Sequence, residues 1–322
     1  MSNGAREYVL AIDVGGTKAE AALIDRAGTV LTVSRARRPT GPHTTRQHLE
    51  RLAEELACES LSHLPSGATF IGVGVGSAGP LDLENRSVAP LNMPLAVGAT
   101  FDGLADVTGA PVSLALDGTC IALAEHRFGA ARGYATVLAL VVSTGVGGGL
   151  IINGNPVTGR TGNAGHVGQM RIERRGGDAP HAGTVEYLAS GPRVVEWARE
   201  RGWRGPDGHD LGRDYAAGEA VARAAVERSA TAVGSAIASI STLLDLEVAV
   251  IAGGFAGVST DYIDLVTAAV RDEALLPHTA DIVIVGTGLS GSGPLIGAAV
   301  LAFDAQDRGP IQVRAAEEAR LV

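Results

Sequence analysis

The stretch AIDVGGTKAEAALID, residues 11–25, decides the fold of this chain. Its apolar residues fall into two runs, which predict β-strands over residues 7–14 and 18–25. The three residues between the runs, Gly15-Gly16-Thr17, predict a tight hairpin. After a second hairpin-type turn, a third strand is predicted over residues 29–34.

The residues around the first hairpin suit a bound phosphate. Gly15 and Gly16 would let backbone N–H groups approach an anion closely. The common phosphate loops run from a strand into a helix, whereas this turn runs from strand to strand. Asp13 precedes it, and Thr17 and Lys18, the only lysine of the chain, follow. The alternatives are an ordinary tight hairpin and a solvated lysine.

Two further glycine turns follow buried strands. Residues 135–157 repeat the order strand, turn, strand about 130 residues after the first hairpin. Thr144 and Gly145 open that turn, and the glycines at 147–149 are predicted to extend it and to bury nothing. Gly253-Gly254 ends another strand. The three turns predict one nucleotide, held at its β/γ-phosphates, its α-phosphate region and its adenosine, and the repeat predicts a duplicated αβ unit.

The remaining elements follow from apolar spacing. Helices are predicted over residues 44–64, 118–128, 215–244, 266–275 and 294–303. Strands are predicted over residues 70–75, 112–116, 248–252 and 282–285, and long loops over 158–184.

Composition narrows the class of protein. The 322 residues carry a formal net charge of −9, which argues against a nucleic-acid surface. The densest basic cluster, Arg35-Ala-Arg37-Arg38, is predicted to be a solvated strand end. Cys58 and Cys120 provide no disulfide framework, and there is neither an apolar signal core nor a membrane-length run. We therefore expect a protein of the reducing cytoplasm without membrane or nucleic-acid partners.

Six motifs then carry a family resemblance. They are, in order, LAIDVGGTKAEAALID, STGVGGGLIINGNP, GRTGNAGHVGQM, VEYLASG, VIAGGF and PLIGAAVLA. Together they resemble the ROK family of sugar kinases and sugar-responsive repressors, over residues 7–303. The resemblance implies a duplicated actin/hexokinase-like (ribonuclease H-like) α/β fold with an interdomain cleft, and a homodimer. It implies lobes at 1–117, completed by a C-terminal helix at about 294–322, and at 118–293.

The resemblance also implies an activity. ROK kinases move the γ-phosphoryl group of ATP, with Mg²⁺, to a sugar hydroxyl, usually the 6-OH of a hexose. The family repressors carry a helix-turn-helix before the first phosphate motif. Here that motif begins within about ten residues of Met1, so no DNA-binding domain is expected. The implied nucleotide contacts are Asp13, through water to Mg²⁺, and the three glycine turns with Thr17, Lys18 and Thr144.

The resemblance places the catalytic base at Asp117. In the family this carboxylate belongs to an Asn-Asp pair, and Leu116 occupies the place of the asparagine. The alternative for Asp117 is a helix N-cap, a common role of Asp where a strand leads into a helix.

The predicted sugar pocket departs from the family pattern. Where the family has Gly-Glu-x-Gly-His, this chain has His166 in place of the glutamate and Gln169 in place of the histidine. The family's sugar-binding glutamate matches Glu186, for which a helix-start residue is the alternative. The family's three zinc cysteines fall at Gly177, Ala179 and Thr184, so no zinc site of the thiolate type is expected.

These departures spare the phosphate residues and alter the sugar contacts. Leu116 offers no hydrogen-bonding group, and His166 replaces an anion. The sequence therefore favours a 6-kinase for a modified or amino hexose, with kanosamine (3-amino-3-deoxyglucose) as the first candidate. A glucokinase and a catalytically impaired sugar-binding sensor of the same fold are the alternatives.

Overall fold

The computed structural model describes residues 6–173 and 180–308 and divides into two compact units. The first unit holds the residues up to Arg127, Pro156–Ala164, and those from Ser292 onward. The second holds Phe128–Asn155 and Gly165–Gly291. The boundary predicted after Asp117 lies at the start of a helix whose residues to Arg127 group with the first unit.

The first unit has a five-stranded sheet and a small antiparallel sheet of three short strands. Its strands are β1 (Glu7–Val14), β2 (Lys18–Asp25), β3 (Ala36–Pro39), β4 (Thr69–Ser77), the short β5 (Leu81–Asp82), β6 (Ser87–Val88) and β7 (Ala99–Thr100), and β8 (Val112–Leu116). Its helices are α1 (Arg46–Leu61), α2 (Gly103–Thr108), α3 (Asp117–Phe128) and, from the end of the chain, α10 (Gly293–Arg308).

The second unit has a five-stranded sheet of its own. Its strands are β9 (Val137–Val142), β10 (Val146–Ile152), β11 (Asn155–Pro156), β12 (Val248–Ala252) and β13 (Val283–Gly286). Its helices are α4 (Val185–Ala189), α5 (Gly191–Glu200), α6 (Gly208–Ala216), α7 (Ala220–Leu244), α8 (Tyr262–Glu273) and α9 (Pro277–Ala280).

The five-stranded sheets of the two units repeat one topology. The strand order is β3-β2-β1-β4-β8 in the first unit and β11-β10-β9-β12-β13 in the second. In each, an antiparallel hairpin is continued by two parallel strands. The predicted duplication and the actin/hexokinase-like class are therefore confirmed.

Strand β4 shows how the first unit packs. Val73 and Val75 belong to the apolar core that helix α1 covers. On the alternate positions, a Cβ on Gly74 would lie 1.8 Å from the carbonyl oxygen of Ala298 in α10. A Cβ on Gly76 would lie 2.9 Å from Sγ of Cys120 in α3. Glycine on this face of β4 therefore lets two helices lie directly on the backbone of the sheet.

The strand predicted over residues 29–34 is wrong. The Asp25 carboxylate accepts the amides of Ala27 and Thr29, which curls the chain after β2. Only Val30 makes a bridge, and the Leu23 amide donates to Oγ of Ser34 instead of to a neighbouring strand. The ordered strand begins two residues beyond Ser34, at Ala36.

The helix predicted over residues 215–244 is two helices. Gly218 has a φ of 86°, which α-helical backbone does not allow. Glu219 then caps α7, its side chain accepting the amide of Ala222. Helices α4 and α5 lie beyond the loops predicted over residues 158–184, in a segment for which no element was predicted.

Gly74→Ala is expected to lower the free energy of unfolding by about 1–3 kcal/mol, because the new methyl group would displace the α10 backbone. The matched control is Gly147→Ala, since a Cβ at that strand position meets nothing within 4 Å. Urea denaturation of both variants measures the difference. Equal stabilities would show that the Gly74 contact places no constraint on the sheet.

Candidate active site

The first glycine turn is shaped by close contacts. The Gly15 amide donates to the Lys18 carbonyl at 2.9 Å, and the Thr40 hydroxyl donates to the Gly15 carbonyl at 2.7 Å. A Cβ on Gly16 would lie 1.6 Å from Nδ2 of Asn92. Neither glycine has a positive φ, so space rather than backbone conformation requires them. Thr17 is exposed at the tip.

Two carboxyl groups with raised pKa values lie in the first unit. Asp13 is 9% exposed at the end of β1, and its burial, then the charge of Asp117, raise its pKa to about 7. Desolvation raises the pKa of Asp117 to about 6, although Oδ1 accepts the Gly118 amide at 2.7 Å. An N-cap carboxylate would accept an amide two or three residues further on, so this contact with the next residue is not the one that the N-cap alternative predicts. Paired carboxyls with raised pKa values are typical of sites for proton transfer or cations.

The lone lysine makes an ion pair. Nζ of Lys18 lies 2.9 Å from Oε2 of Glu20, which is buried in β2. Neither this contact nor the burial of Glu20 was foreseen from the sequence.

The second and third glycine turns meet in the second unit. The Ser143 amide donates to the Gly145 carbonyl, which closes the turn between β9 and β10, and Thr144 is exposed at its tip. Gly253 has a φ of 106°, and a Cβ there would lie 2.3 Å from the Val142 carbonyl oxygen. These two turns are adjacent because β9 and β12 pair in parallel.

A cleft of about 860 Å³ lies beside these two turns. Thr144 and Gly254 of the predicted set line it, together with residues that the sequence did not single out. The latter include Gly191, Arg199, His209, Arg213 and Phe255. The Pro206-Asp207-Gly208 segment was the sequence signal for part of this set, because such residues are typical of a turn before a helix. Asp207 caps α6 there by accepting the amides of His209 and Asp210.

Glu186 links the second turn to the predicted sugar motif. Oε2 of Glu186 accepts the Val146 amide at 2.9 Å, and Gln169 donates to Oε1 at 3.3 Å. Gly145 leaves room for this carboxylate, because a Cβ there would lie 2.7 Å from Oε2. Thr184 is the N-cap of α4, so Glu186 also lies in the first turn of that helix, as the alternative predicts.

His166 has a buried nitrogen without a partner. Nε2 makes no hydrogen bond with any described protein group, although it is shielded from solvent. Desolvation lowers the pKa of His166, and the charge of Glu186 opposes that shift. The imidazole is therefore mainly neutral near pH 7.

The glycines at 147–149 do not extend the turn, which corrects the prediction. They lie within β10, and Gly148 and Gly149 are buried. A Cβ on Gly165 would lie 2.3 Å from the Gly148 carbonyl oxygen, and one on Gly168 would lie 2.0 Å from that of Val146. Gly165 and Gly168 thus let the loop that carries His166 and Gln169 lie directly on the backbone of β10.

The remaining predicted residues differ in placement. Leu116 is 2% exposed and packs in the apolar core of the first unit, and its sugar contact stays a prediction. Gly177 and Ala179 lie outside the described residues. No helix in the described ranges is long and apolar enough to cross a membrane. In the same ranges, no three His, Cys, Asp or Glu side chains group as a metal site.

Residues 9–305 match the ROK family. The N-acetyl-D-glucosamine kinase of Yersinia enterocolitica is 32% identical over 267 residues, which are 79% of this chain and 86% of that protein. The ROK hexokinase of Thermus thermophilus has a similar structure, with a TM-score of 0.79 and 30% identity, covering 93% of this chain and 99% of that one. The ROK glucokinase of Streptomyces griseus, solved with glucose and AMPPNP, gives a TM-score of 0.77 and 26% identity over 92% and 99%.

The fold and these similarities thus define an actin/hexokinase-like phosphotransferase. The chain belongs to the ROK family, and the expectation of a kinase with an alcohol acceptor is confirmed.

Asp13→Asn is expected to abolish turnover and to stabilise the fold by about 1 kcal/mol at pH 8, because the buried carboxylate is charged there. This gain in stability should shrink as the pH falls from about 7 towards 4. In that range Asp13 of the natural protein is protonated in the folded state, so its burial no longer costs the energy of a buried charge. Thermal unfolding at several pH values measures it.

The control for this variant is Asp82→Asn. Asp82 is exposed, and hydrogen bonds from Asn85 lower its pKa. That variant should lose a little stability and keep its turnover. A normally active Asp13→Asn enzyme would remove Asp13 from the phosphate site.

Proposed function

We propose that the protein is an ATP-dependent kinase that transfers the γ-phosphoryl group to the 6-OH of a modified or amino hexose. The observation that carries the proposal is the buried, unpartnered Nε2 of His166 beside Glu186. A buried polar atom without a partner is costly, and a ligand group that hydrogen-bonds to it removes that cost. A neutral imidazole suits a hydroxyl, amine or amide group of the acceptor.

The donor half of the proposal rests on the glycine turns and the cleft. The cleft beside Thr144 and Gly254 has room for a nucleoside, and Phe255 offers it an aromatic side chain. The first turn is proposed to hold the terminal phosphates through backbone amides other than that of Gly15, which donates to the Lys18 carbonyl. The bound AMPPNP of the Streptomyces griseus glucokinase supports ATP as the donor.

Magnesium is part of the same proposal. Asp13 would hold the ion through water, and a cation would favour the charged form of this buried carboxyl group. When bound, Mg²⁺ neutralises the charge that develops on the phosphates.

Asp117 is proposed to take the proton of the acceptor hydroxyl. Its pKa of about 6 keeps the group mainly ionised at pH 7 and close to the value that suits a general base. The bond from the Gly118 amide to Oδ1 orients the carboxylate and is compatible with the catalytic role. Deprotonating the hydroxyl makes it the nucleophile for the phosphoryl group.

The acceptor is proposed to be bound by His166, Gln169 and Glu186. Oε1 of Glu186 accepts from Gln169, an amide whose charge does not change with pH. Leu116 provides no polar group where the family has an asparagine. The similarity to an N-acetyl-D-glucosamine kinase supports a sugar with a nitrogen substituent. Kanosamine is the first candidate, and a glucokinase or a non-catalytic sensor is the alternative.

Asp117→Asn is expected to reduce kcat by about 10²-fold or more while sugar still binds, because the variant lacks a base. In the unmodified enzyme, kcat/KM should fall as the pH drops below about 6 to 7, where Asp117 and Asp13 take up protons. ADP release across a pH series measures both effects. A variant with turnover within a few-fold of the natural protein would assign Asp117 to the cap alone.

The acceptor is tested by measuring kcat/KM side by side for glucose, mannose, N-acetylated hexosamines and kanosamine. The kcat/KM for an amino or modified hexose should exceed that for glucose by about tenfold or more. A buried polar group of the pocket favours the sugar that pairs with it over one that leaves it unpaired. Glucose as the best acceptor would contradict the pocket argument but not the kinase. ADP release with none of these sugars, although they bind, would favour the sensor.

A further inference from the structure

The buried carboxylate of Glu20 makes ion pairs with three cations. Nζ of Lys18 and Nη2 of Arg37 each lie 2.9 Å from Oε2, and Arg35 pairs with Oε1. In the described part of the chain, none of the three cations pairs with a second acid. Two positive charges of this cluster are therefore not balanced within it.

Strand register places the cluster beside Asp13. Asp13 lies opposite Glu20 across β1 and β2, and Glu20 lies opposite Arg37 across β2 and β3. Directly opposite residues share one face of a sheet, so the three side chains form a row. Arg38, the next residue along β3, belongs to the other face and pairs with Glu59 of α1.

The cluster is also tied to the first glycine turn. Thr40 directly follows β3, and its amide donates to the Thr17 carbonyl of the turn at 3.0 Å. The Thr40 hydroxyl donates to the carbonyl of Gly15. Strand β3, which carries Arg37 and follows Arg35 directly, is thus fixed to the turn that carries Gly15.

The cations remain open to a ligand. The exposed fractions of the Lys18, Arg35 and Arg37 side chains are 41%, 32% and 55%, against 2% for Glu20. Asp13, the neighbouring acid, lies directly opposite Glu20 on β1 and makes no ion pair with the three cations among the described residues. An arginine guanidinium has five donors, so Arg37 can hold Glu20 and still donate to an anion.

We propose that Lys18, Arg35 and Arg37 form an anion subsite for the terminal phosphate groups of the phosphoryl donor. The proposal rests on the proposed kinase function and adds Arg35 and Arg37, which the sequence indicated only as a solvated strand end. Glu20 is a positioning residue, because it holds the three cations on one face. The ligand chemistry is a chain of phosphates, from a nucleoside triphosphate or an inorganic condensed phosphate.

A purely structural cluster is the competing explanation. One cation would be enough to neutralise Glu20, and the second and third leave excess charge on an exposed surface. A structural role predicts that loss of Arg37 changes only stability. A phosphate subsite predicts a change that depends on the donor.

The decisive variant is Arg37→Gln, with Arg38→Gln as the matched control on the opposite face of the same strand. Arg37→Gln should raise the KM for ATP about threefold to tenfold, with the KM for the sugar unchanged. Arg37→Lys should restore part of the loss, and Arg38→Gln should behave as the natural protein. Thermal unfolding of each variant shows whether the fold is intact.

Binding of inorganic tripolyphosphate, measured by calorimetry, tests the subsite without turnover. The natural protein should bind it, Arg37→Gln should bind it about threefold to tenfold more weakly, and added salt should weaken both. Turnover with ATP but not with condensed phosphate would identify the nucleotide as the source, and turnover with both would admit the inorganic chain.

Identical ATP and tripolyphosphate parameters for Arg37→Gln and Arg38→Gln would overturn the subsite. Tripolyphosphate binding that depends on Arg37 in a protein with no sugar turnover would instead overturn the kinase proposal and leave the subsite. The two failures are therefore distinguishable.

Discussion

The first unit depends on the close approach of backbone to backbone where glycine has no side chain. A Cβ on Gly74 would overlap the carbonyl of Ala298, and one on Gly297 would lie 1.7 Å from the carbonyl oxygen of Cys120. Helices α3 and α10 are thereby held on the backbone of β4 and on each other. Because Asp117 begins α3, this packing brings its carboxyl group near Asp13, and the interaction between the two follows from it.

The second unit uses the same constraint for a different purpose. Gly165 and Gly168 let their loop lie against β10, where a Cβ on either would overlap a carbonyl oxygen of the strand. That packing buries Nε2 of His166. The carboxylate of Glu186 fits against Gly145 for the same reason. In both units, close packing at glycine residues thus fixes where the polar side chains of the site lie.

The sequence predicted elements whose signals are local. The hairpin strands at 7–14 and 18–25 and the strands at 112–116 and 248–252 agree with the structure, because apolar runs and glycine turns bound them. It did not predict the role of Glu20, whose arginine partners are 15 and 17 residues away along the chain. Nor could it indicate the pKa of Asp13, which depends on burial by elements distant in sequence. The glycines at 147–149 were assigned to a turn because the neighbours of Gly148, the Ala139 carbonyl of β9 and the Val167 side chain, come from other segments of the chain.

Arginine supplies the positive charge everywhere but at one point, and that asymmetry has a practical consequence. Besides the amino terminus, Lys18 is the only primary amine of the chain, and it is partly exposed beside the first glycine turn. An amine-selective reagent therefore has a single side-chain target. A fluorophore or isotopic label attached there would report on the first glycine turn without any substitution in the protein.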